Sequence, residues 1–337
     1  MSDQQEFLKF FNEELIDFPD DIKTHFNIKR WWKKTSGNKD ELSAQLQTYV
    51  ENRFAAKLDP INFGDTVESL QKSLPYLPSP NLNEDVILSP DDNLIVMSIK
   101  MKTMDYSKLV KVLHTSEFLL IYFAVGEYVL QRVLEQEKKS QKRSGIILLF
   151  DLAGLHLEEY HTFEVFWTSV KHVLPEKKVF IIRKQVGLRK ILTKDAIPTS
   201  FGGFAVVQKN KPVPDAKVDT IVPEDYFTPG LIWKKYDLPK TPLMLSQSIA
   251  PETTFKVEVK VTEPETTLAW QYFADNIIEF SIMAIPNEDD TKSAKDNANY
   301  ISLVVPKFPI LTIKLPEEGS FYCSSPGIYV FEFNNVG

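Results

Sequence analysis

The stretch that decides the fold of this chain is Gly145-Ile146-Ile147-Leu148-Leu149-Phe150-Asp151. It is short, continuously apolar and entered through glycine, which is typical of a strand buried on both faces of a parallel sheet. Residues 94–99 repeat the apolar strand pattern, and residues 115–138 between the two carry the pattern of one long helix. A strand, a helix and a strand in this order predict a right-handed crossover between parallel strands, and hence an α/β domain.

Helical patterns precede this unit. Phe7, Phe10, Phe11 and Leu15, with a further pattern over 40–54, predict an all-helical lead-in over residues 1–60. The α/β domain then covers residues 61–205, in which 74–90 is predicted to be loop because Pro, Asn and Ser are frequent there. Within the same domain we predict an amphipathic helix over 162–174 and a buried strand over 179–182.

The pattern changes after Phe204. Residues 206–239 carry repeated prolines and charges and are predicted to be a linker. Residues 240–337 lose the helical period and follow a period of two in the stretches 255–261, 268–273, 277–285 and 328–333. Short strands separated by turn residues predict an all-β sandwich as the C-terminal domain.

The composition disfavours several classes of protein. A net charge of −7 argues against a general nucleic-acid binder, and 12 glycines against 23 phenylalanines favour apolar interiors over phosphate loops. The single cysteine, Cys323, cannot form an intramolecular disulfide, which favours a reducing compartment. The N-terminus has acids where an export signal has its basic region, and the apolar stretch 118–130 is interrupted at Glu127. We expect a cytoplasmic protein whose helix over this stretch is buried, because a bilayer span needs about 20 apolar residues.

No catalytic constellation is visible in the sequence. Asp151, followed by Gly154, resembles the Mg²⁺-binding aspartate of nucleotide-binding proteins, but the glycine-rich loop ending in Lys-Ser/Thr is missing. The alternative is that Asp151 caps the turn that Gly154 permits. The histidines are scattered without ligand spacing, and Cys323 has no neighbouring general base. We predict no enzyme activity, no metal and no cofactor.

One helical stripe is a candidate lipid contact. Its apolar side chains recur at helical spacing: Phe163, Phe166, Trp167, Val170, Val173 and Leu174. A basic cluster follows it: Lys177, Lys178, Arg183, Lys184, Arg189 and Lys190. Such a cluster attracts anionic membranes, with roughly 1 kcal/mol for each charge. The alternatives remain that the stripe is ordinary core and that the cluster is a solvated face.

Two shorter basic runs could extend such a face. They are Lys29-Arg30-Trp31-Trp32-Lys33-Lys34 and Lys138-Lys139 with Lys142-Arg143. The tryptophans of the first run suit a bilayer interface, although one of them could equally pack inside the lead-in.

These pieces in this order resemble the CRAL-TRIO lipid-binding family, the fold of phosphatidylinositol and tocopherol transfer proteins, joined to a GOLD domain as in supernatant protein factor. The resemblance rests on Phe26-Asn27-Ile28-Lys29-Arg30-Trp31, on the strand at 146–154 and on Ile197-Pro198-Thr199-Ser200-Phe201-Gly202-Gly203. In the second half, residues 268–275 and 325–335 are similar to GOLD strands. The resemblance implies a lipid ligand, with a gate helix at 163–174, with Phe118, Tyr122 and the strand 146–150 in the pocket wall, and with Lys178 as the lysine of the gate region.

The chain departs from the family in two places. Few residues separate Gly154 from Phe163, so one helix–strand unit of the lipid domain looks deleted, and the acidic contact to an inositol headgroup is lost with it. The chain also stops at Gly337, before the final strand of a usual GOLD domain, so we expect a truncated sandwich with an unpaired edge.

These features predict a lipid-binding or transfer protein that meets anionic membranes transiently at their periphery. We predict the headgroup or membrane contacts at Lys177, Lys178, Lys184 and Lys190. The alternative is a membrane-trafficking adaptor with a vestigial pocket, whose sandwich binds a partner protein.

Overall fold

The computed structural model describes residues 3–15, 18–58, 86–89, 93–100, 105–151, 185–205, 220–238, 243–286, 302–312 and 315–336. The helix predicted over 162–174 and the strand predicted over 179–182 lie outside these residues.

The lead-in is helical, as predicted, and its described helices are α1 (Asp3–Lys9) with a following π-helical turn (Phe10–Glu14), α2 (His25–Lys34) and α3 (Lys39–Ala55). The side chains of Thr24 and Asn38 accept hydrogen bonds from backbone N–H groups of α2 and α3, which fixes where these helices begin. Trp32 is buried against the rings of Phe7 and Phe10, at centroid distances of 5.6 and 5.8 Å. One of the two tryptophans therefore packs inside the lead-in.

A sheet with the order β1 (Val86–Ser89), β2 (Leu94–Lys100) and β3 (Gly145–Asp151) follows. β2 and β3 are parallel, with Leu94 opposite Gly145 and Lys100 opposite Asp151. The chain passes between them through α4 (Tyr106–Leu109) and α5 (Thr115–Ser140), so the predicted strand–helix–strand unit is confirmed. The prediction of loop over 74–90 is wrong at β1, which pairs antiparallel with β2. A run of 4 residues is too short to reveal itself as a strand without its partner.

Short helical elements connect these parts: α6 (Gln185–Leu188), a 3₁₀ turn (Thr199–Phe201), a second 3₁₀ turn (Pro223–Asp225) and α7 (Leu231–Lys235). α7 lies in the segment predicted to be linker, and it buries Ile232 and Trp233. The described part of that segment is therefore packed against the protein.

Antiparallel strands fill the C-terminal region, which is compatible with the predicted sandwich. They are β4 (Thr254–Val261), β5 (Thr266–Tyr272), β6 (Ile278–Pro286), β7 (Ser302–Ile310), β8 (Glu317–Cys323) and β9 (Gly327–Asn334). One sheet has the order β4-β9-β6-β7, and the other pairs β5 with β8. Trp270 and Tyr272 of β5 contact Phe280 of β6 at centroid distances of 6.0 and 4.8 Å, so aromatic rings join the two sheets. The predicted truncation of this sandwich, like the division into domains, stays a prediction.

Helices α3 and α5 pack against the sandwich. Asn52 of α3 accepts a hydrogen bond from the Lys307 N–H at 2.7 Å and donates one to the Lys307 carbonyl at 3.3 Å, which covers the edge strand β7. At the start of α5, Thr115 donates to the Leu311 carbonyl at 3.0 Å. Leu119 of α5 belongs to the apolar core of the sandwich. The C-terminal sheets are thus continuous with the helical half.

Candidate lipid-binding wall and basic pocket

The small sheet has two faces with different surroundings. Val96 and Leu149 pack in one apolar cluster with residues from the end of the predicted lipid domain, namely Leu188, Leu192, Ala196, Ile197 and Ala205. Side chains alternate between the two faces of a strand, so Ile146 belongs to the opposite face. There it is 36% exposed. Its partner on β2, Ile95, lies on the same face and is 4% exposed, so this face is only partly open among the described residues.

A tight turn at 197–203 closes the cluster. Gly202 lies in the left-handed region at φ 75°, and the Gly203 N–H donates to the Pro198 carbonyl at 3.1 Å. A Cβ on Gly203 would lie 1.9 Å from the carbonyl oxygen of Ile197, so a side chain has no room there. The paired glycines of this sequence motif therefore have separate physical reasons, a positive φ at the first and a close backbone approach at the second.

The structure describes few of the predicted site residues. Phe118 is buried in the first turn of α5, at 2% exposure. Tyr122 lies on the same helix, but its side chain is outside the described part. Lys190 is exposed beyond α6. The remaining predicted residues lie outside the described ranges: Phe163, Phe166, Trp167, Val170, Leu174, Lys177, Lys178 and Lys184.

A buried charge fixes α5 against the lead-in. Glu127, which interrupts the apolar stretch of α5, lies 3.2 Å from the Arg53 guanidinium and accepts a hydrogen bond from the Tyr49 hydroxyl. Arg53 also contacts Asp21 at 2.5 Å. Burial raises the pKa of the Glu127 carboxyl, although Tyr49 and Arg53 oppose the change. The position of Glu127 in an apolar helix was visible in the sequence, whereas its partners on α3 were not.

Two of the predicted basic runs meet in space. A depression of about 170 Å³ lies between α2 and the turn from α5 to β3, and it is lined by Phe26, Lys29, Arg30, Lys33 and Arg143. We call this depression the basic pocket. Its four α2 residues share one helix face because they are three or four positions apart. The sequence identified the basic residues of both runs, while Phe26 was noted only as part of the family resemblance.

The Arg30–Glu137 ion pair brings the two runs together. Glu137 is buried at 3% exposure near the end of α5. It also accepts a hydrogen bond from the Ser144 N–H at 2.8 Å, and Arg30 donates to the Ser144 carbonyl at 3.2 Å. Because Ser144 follows Arg143 directly, these contacts place Arg143 beside α2.

The charges of the basic pocket are only partly compensated. Burial raises the pKa of the Glu137 carboxyl and lowers the pKa of the Arg30 guanidinium, and the nearby Arg143 lowers the latter further. A guanidinium stays charged in proteins, so Arg30 and Glu137 neutralise each other. Among the described residues, no carboxylate forms an ion pair with Lys29 or Lys33, and Arg143 acts on the same Glu137 carboxylate that pairs with Arg30. The four basic side chains around the depression therefore exceed the one carboxylate by three positive charges, on a chain whose net charge is −7.

Neither a cluster of metal ligands nor a membrane-spanning helix is found among the described residues. Within them, no three His, Cys, Asp or Glu side chains are grouped so that they could hold a metal ion. No described helix combines the length and apolar character needed to cross a membrane.

Comparison with known proteins points to one family. A scan against models of known protein families finds no match. A CRAL-TRIO domain-containing protein of Caenorhabditis elegans is 24% identical over 96% of this chain and 89% of its own length. A second CRAL-TRIO domain-containing protein of the same nematode is 20% identical over 93% of this chain and 81% of its own length. Similarity along nearly the whole chain supports the predicted CRAL-TRIO family.

Proposed function

We propose that this chain binds a hydrophobic lipid in its α/β domain, and that it transfers or presents the lipid between membranes in the cytosol. The observation that carries the proposal is the similarity to a CRAL-TRIO domain-containing protein over 96% of the chain. The parallel β2–β3 pair and the tight turn at 197–203 support it, because they are the described parts of the predicted lipid domain.

A buried lipid exchanges through a membrane rather than through water. An acyl chain in an apolar pocket gains on the order of 10 kcal/mol, at ~0.8 kcal/mol for each CH₂, so its escape into water is slow. An amphipathic helix with a basic flank suits this exchange, since it covers the pocket in solution and lies in the interface when docked. We assign this role to residues 163–174, with Phe118 and Tyr122 in the pocket wall. Binding and exchange of this kind require no catalytic group, so we propose no enzyme activity.

The C-terminal sandwich is proposed to be a GOLD-like interaction domain. Its close packing on α3 and α5 supports a role in fixing the lipid domain. If the lipid pocket is vestigial, the sandwich becomes the functional half and the chain acts as a trafficking adaptor.

The proposed gate role of residues 163–174 is tested with a variant designed to empty the lipid pocket without unfolding the domain. The double variant Phe166→Asp with Trp167→Asp places unpaired carboxylates where an acyl chain must lie, so it should abolish lipid that co-purifies with the protein. Phe54→Asp is the matched control, because Phe54 is 79% exposed on α3. Lipid is measured by extraction and mass spectrometry, and each variant is melted alongside.

The outcomes separate the gate from ordinary core. Lipid lost from the double variant with little change in melting temperature supports the gate. A double variant that unfolds while the control stays folded contradicts it, because the stripe is then core.

Membrane docking is tested by measuring how binding to anionic vesicles depends on the salt concentration. We expect weak binding to anionic vesicles through Lys177, Lys178, Lys184 and Lys190, fading as salt shortens the screening length to about 8 Å and below. Co-sedimentation that ignores both salt and charge reversal at these lysines would count against this docking face.

A further inference from the structure

We propose that the basic pocket between α2 and Arg143 is a binding site for a phosphate-bearing anion. The residues of this site are different from those of the predicted lysine cluster at 177–190. The site therefore adds a second ligand to the proposed function and does not depend on it.

The excess of positive charge around the pocket indicates which class of ligand it would bind. Four basic side chains line one depression of about 170 Å³: Lys29, Arg30, Lys33 and Arg143. The carboxylate of Glu137 acts on Arg30 and Arg143, so the set carries an excess of three positive charges. A carboxylate would compensate only one of these charges, whereas a phosphate monoester carries about −1.5 to −2. Lysine binds phosphate as a point charge, and arginine binds it through a planar fork. A molecule with one or more phosphate groups fits this set best.

The arrangement is costly without an anion. Lys29 and Lys33 are four positions apart on α2, where like charges repel each other by a few tenths of a kcal/mol in an isolated helix. Arg143 adds a third positive charge from another element. An anion in the pocket removes this repulsion.

Buried contacts of Arg30 and Glu137 fix the two elements that form the basic pocket. Arg30 donates to the side chain of Asn27 at 3.3 Å and is paired with the buried Glu137. The Ser144 N–H donates to the same carboxylate at 2.8 Å, which holds the turn that carries Arg143. The backbone that carries Lys29, Lys33 and Arg143 is therefore held around the depression by contacts that an incoming anion does not have to break. Preorganisation of this kind lowers the cost of binding.

Phe26 contributes an aromatic ring to the lining of the basic pocket. It is half-buried and lines the depression beside Lys29 and Lys33. Its ring and the aliphatic stems of the lysines supply apolar surface beside the charged groups.

The test compares two charge-reversal variants of the full chain. The pocket variant is Lys33→Glu with Arg143→Glu. The matched control is Lys34→Glu with Lys142→Glu, which changes the same net charge on the same two elements without touching the pocket lining. Binding is measured by calorimetry with pyrophosphate and with inositol 1,4,5-trisphosphate. Vesicles of phosphatidylcholine with phosphatidylinositol 4-phosphate, and vesicles of equal charge made with phosphatidylserine, complete the set.

The expected result is specific to the pocket. The pocket variant should bind inositol trisphosphate at least about tenfold more weakly than the native chain, while the control stays within about twofold. Phosphoinositide vesicles bound more tightly than phosphatidylserine vesicles would identify the source as a lipid headgroup. Binding of the soluble phosphates alone would identify a free phosphate compound, and both outcomes support the site.

Other results would overturn the site. Equal weakening in both variants would show that only the overall charge matters, and no binding of any probe by the folded native chain would show that the pocket is a solvated surface. Thermal melting of each variant confirms that it is folded, and Lys33→Gln with Arg143→Gln repeats the test if the reversal unfolds the chain. Because calorimetry with soluble phosphates needs no bound lipid, failure here leaves the proposed lipid binding untouched, and failure of lipid binding leaves this site untouched.

Discussion

Replacing Glu127 by alanine should destabilise the protein strongly, because this carboxylate is the link between α5 and α3. Its side chain is 4% exposed and lies 3.2 Å from the Arg53 guanidinium, whose side chain is 7% exposed. Removing one partner of a buried ion pair leaves the other as an uncompensated buried charge, which costs about 3–5 kcal/mol. Arg53 keeps its contact with Asp21 at 2.5 Å, so we expect the low end, about 3 kcal/mol.

Glu135→Ala is the matched control for this prediction. Glu135 lies two turns further along the same helix and pairs with Arg132 at the same distance, 3.2 Å, but the two side chains are 53% and 45% exposed. Exposed pairs contribute about 0–1 kcal/mol, so the control should hardly change the free energy of unfolding. Both variants are unfolded in urea and followed by tryptophan fluorescence. Equal losses in the two variants would refute the reasoning, because burial would then not decide the strength of the pair.

Three further predictions concern close packing and pH. Gly203→Ala should lower the free energy of unfolding by about 1–3 kcal/mol, because its Cβ would lie 1.9 Å from the Ile197 carbonyl oxygen; an unchanged urea midpoint contradicts this. Gly319→Ala should cost a similar amount, because its Cβ would lie 2.4 Å from the Trp270 ring, and a variant as stable as the native chain shows that the indole moves freely. Burial raises the pKa of Glu317 above 4.5, so the folded state favours its protonated form and loses stability as the pH rises through that raised pKa. Glu317→Gln should therefore gain stability relative to the native chain as the pH rises from the ordinary range of a carboxyl through the raised pKa, and a difference that is constant with pH would contradict it.

The elements that the sequence predicted well are those with a strong local pattern. β3 could be placed because its apolar run is short and entered through glycine, and α5 could be placed because its helical period is long. β7 was missed, since Pro306 and Pro309 argue against a strand. They are tolerated because β7 is the edge strand of its sheet among the described residues, and Asn52 covers its outer side.

β8 was missed for a different reason. It begins with Glu317, a residue that usually faces solvent, and yet this side chain is 3% exposed. The carboxylate accepts a hydrogen bond from the Ser116 N–H at the start of α5. That contact joins residues 201 positions apart, and no local pattern reveals it.

The basic pocket shows the same limit. The sequence identified Lys29 and Lys33 in one run and Arg143 in another, and suggested only that both could extend a general membrane face. Their meeting depends on the pair of Arg30 with Glu137, which are 107 positions apart. Each run of basic residues can be recognised from the local sequence. Their proximity in the fold cannot, because it depends on contacts between distant residues.

The central claim is that this chain carries a lipid, and native mass spectrometry of the full chain purified gently from cells tests it most directly. The account predicts an added mass of about one lipid per chain, which organic extraction removes and identifies. A known lipid-transfer protein prepared in parallel shows that the procedure retains bound lipid. If that reference keeps its lipid while this chain appears at the mass of the bare polypeptide, the account is contradicted and the pocket is vestigial.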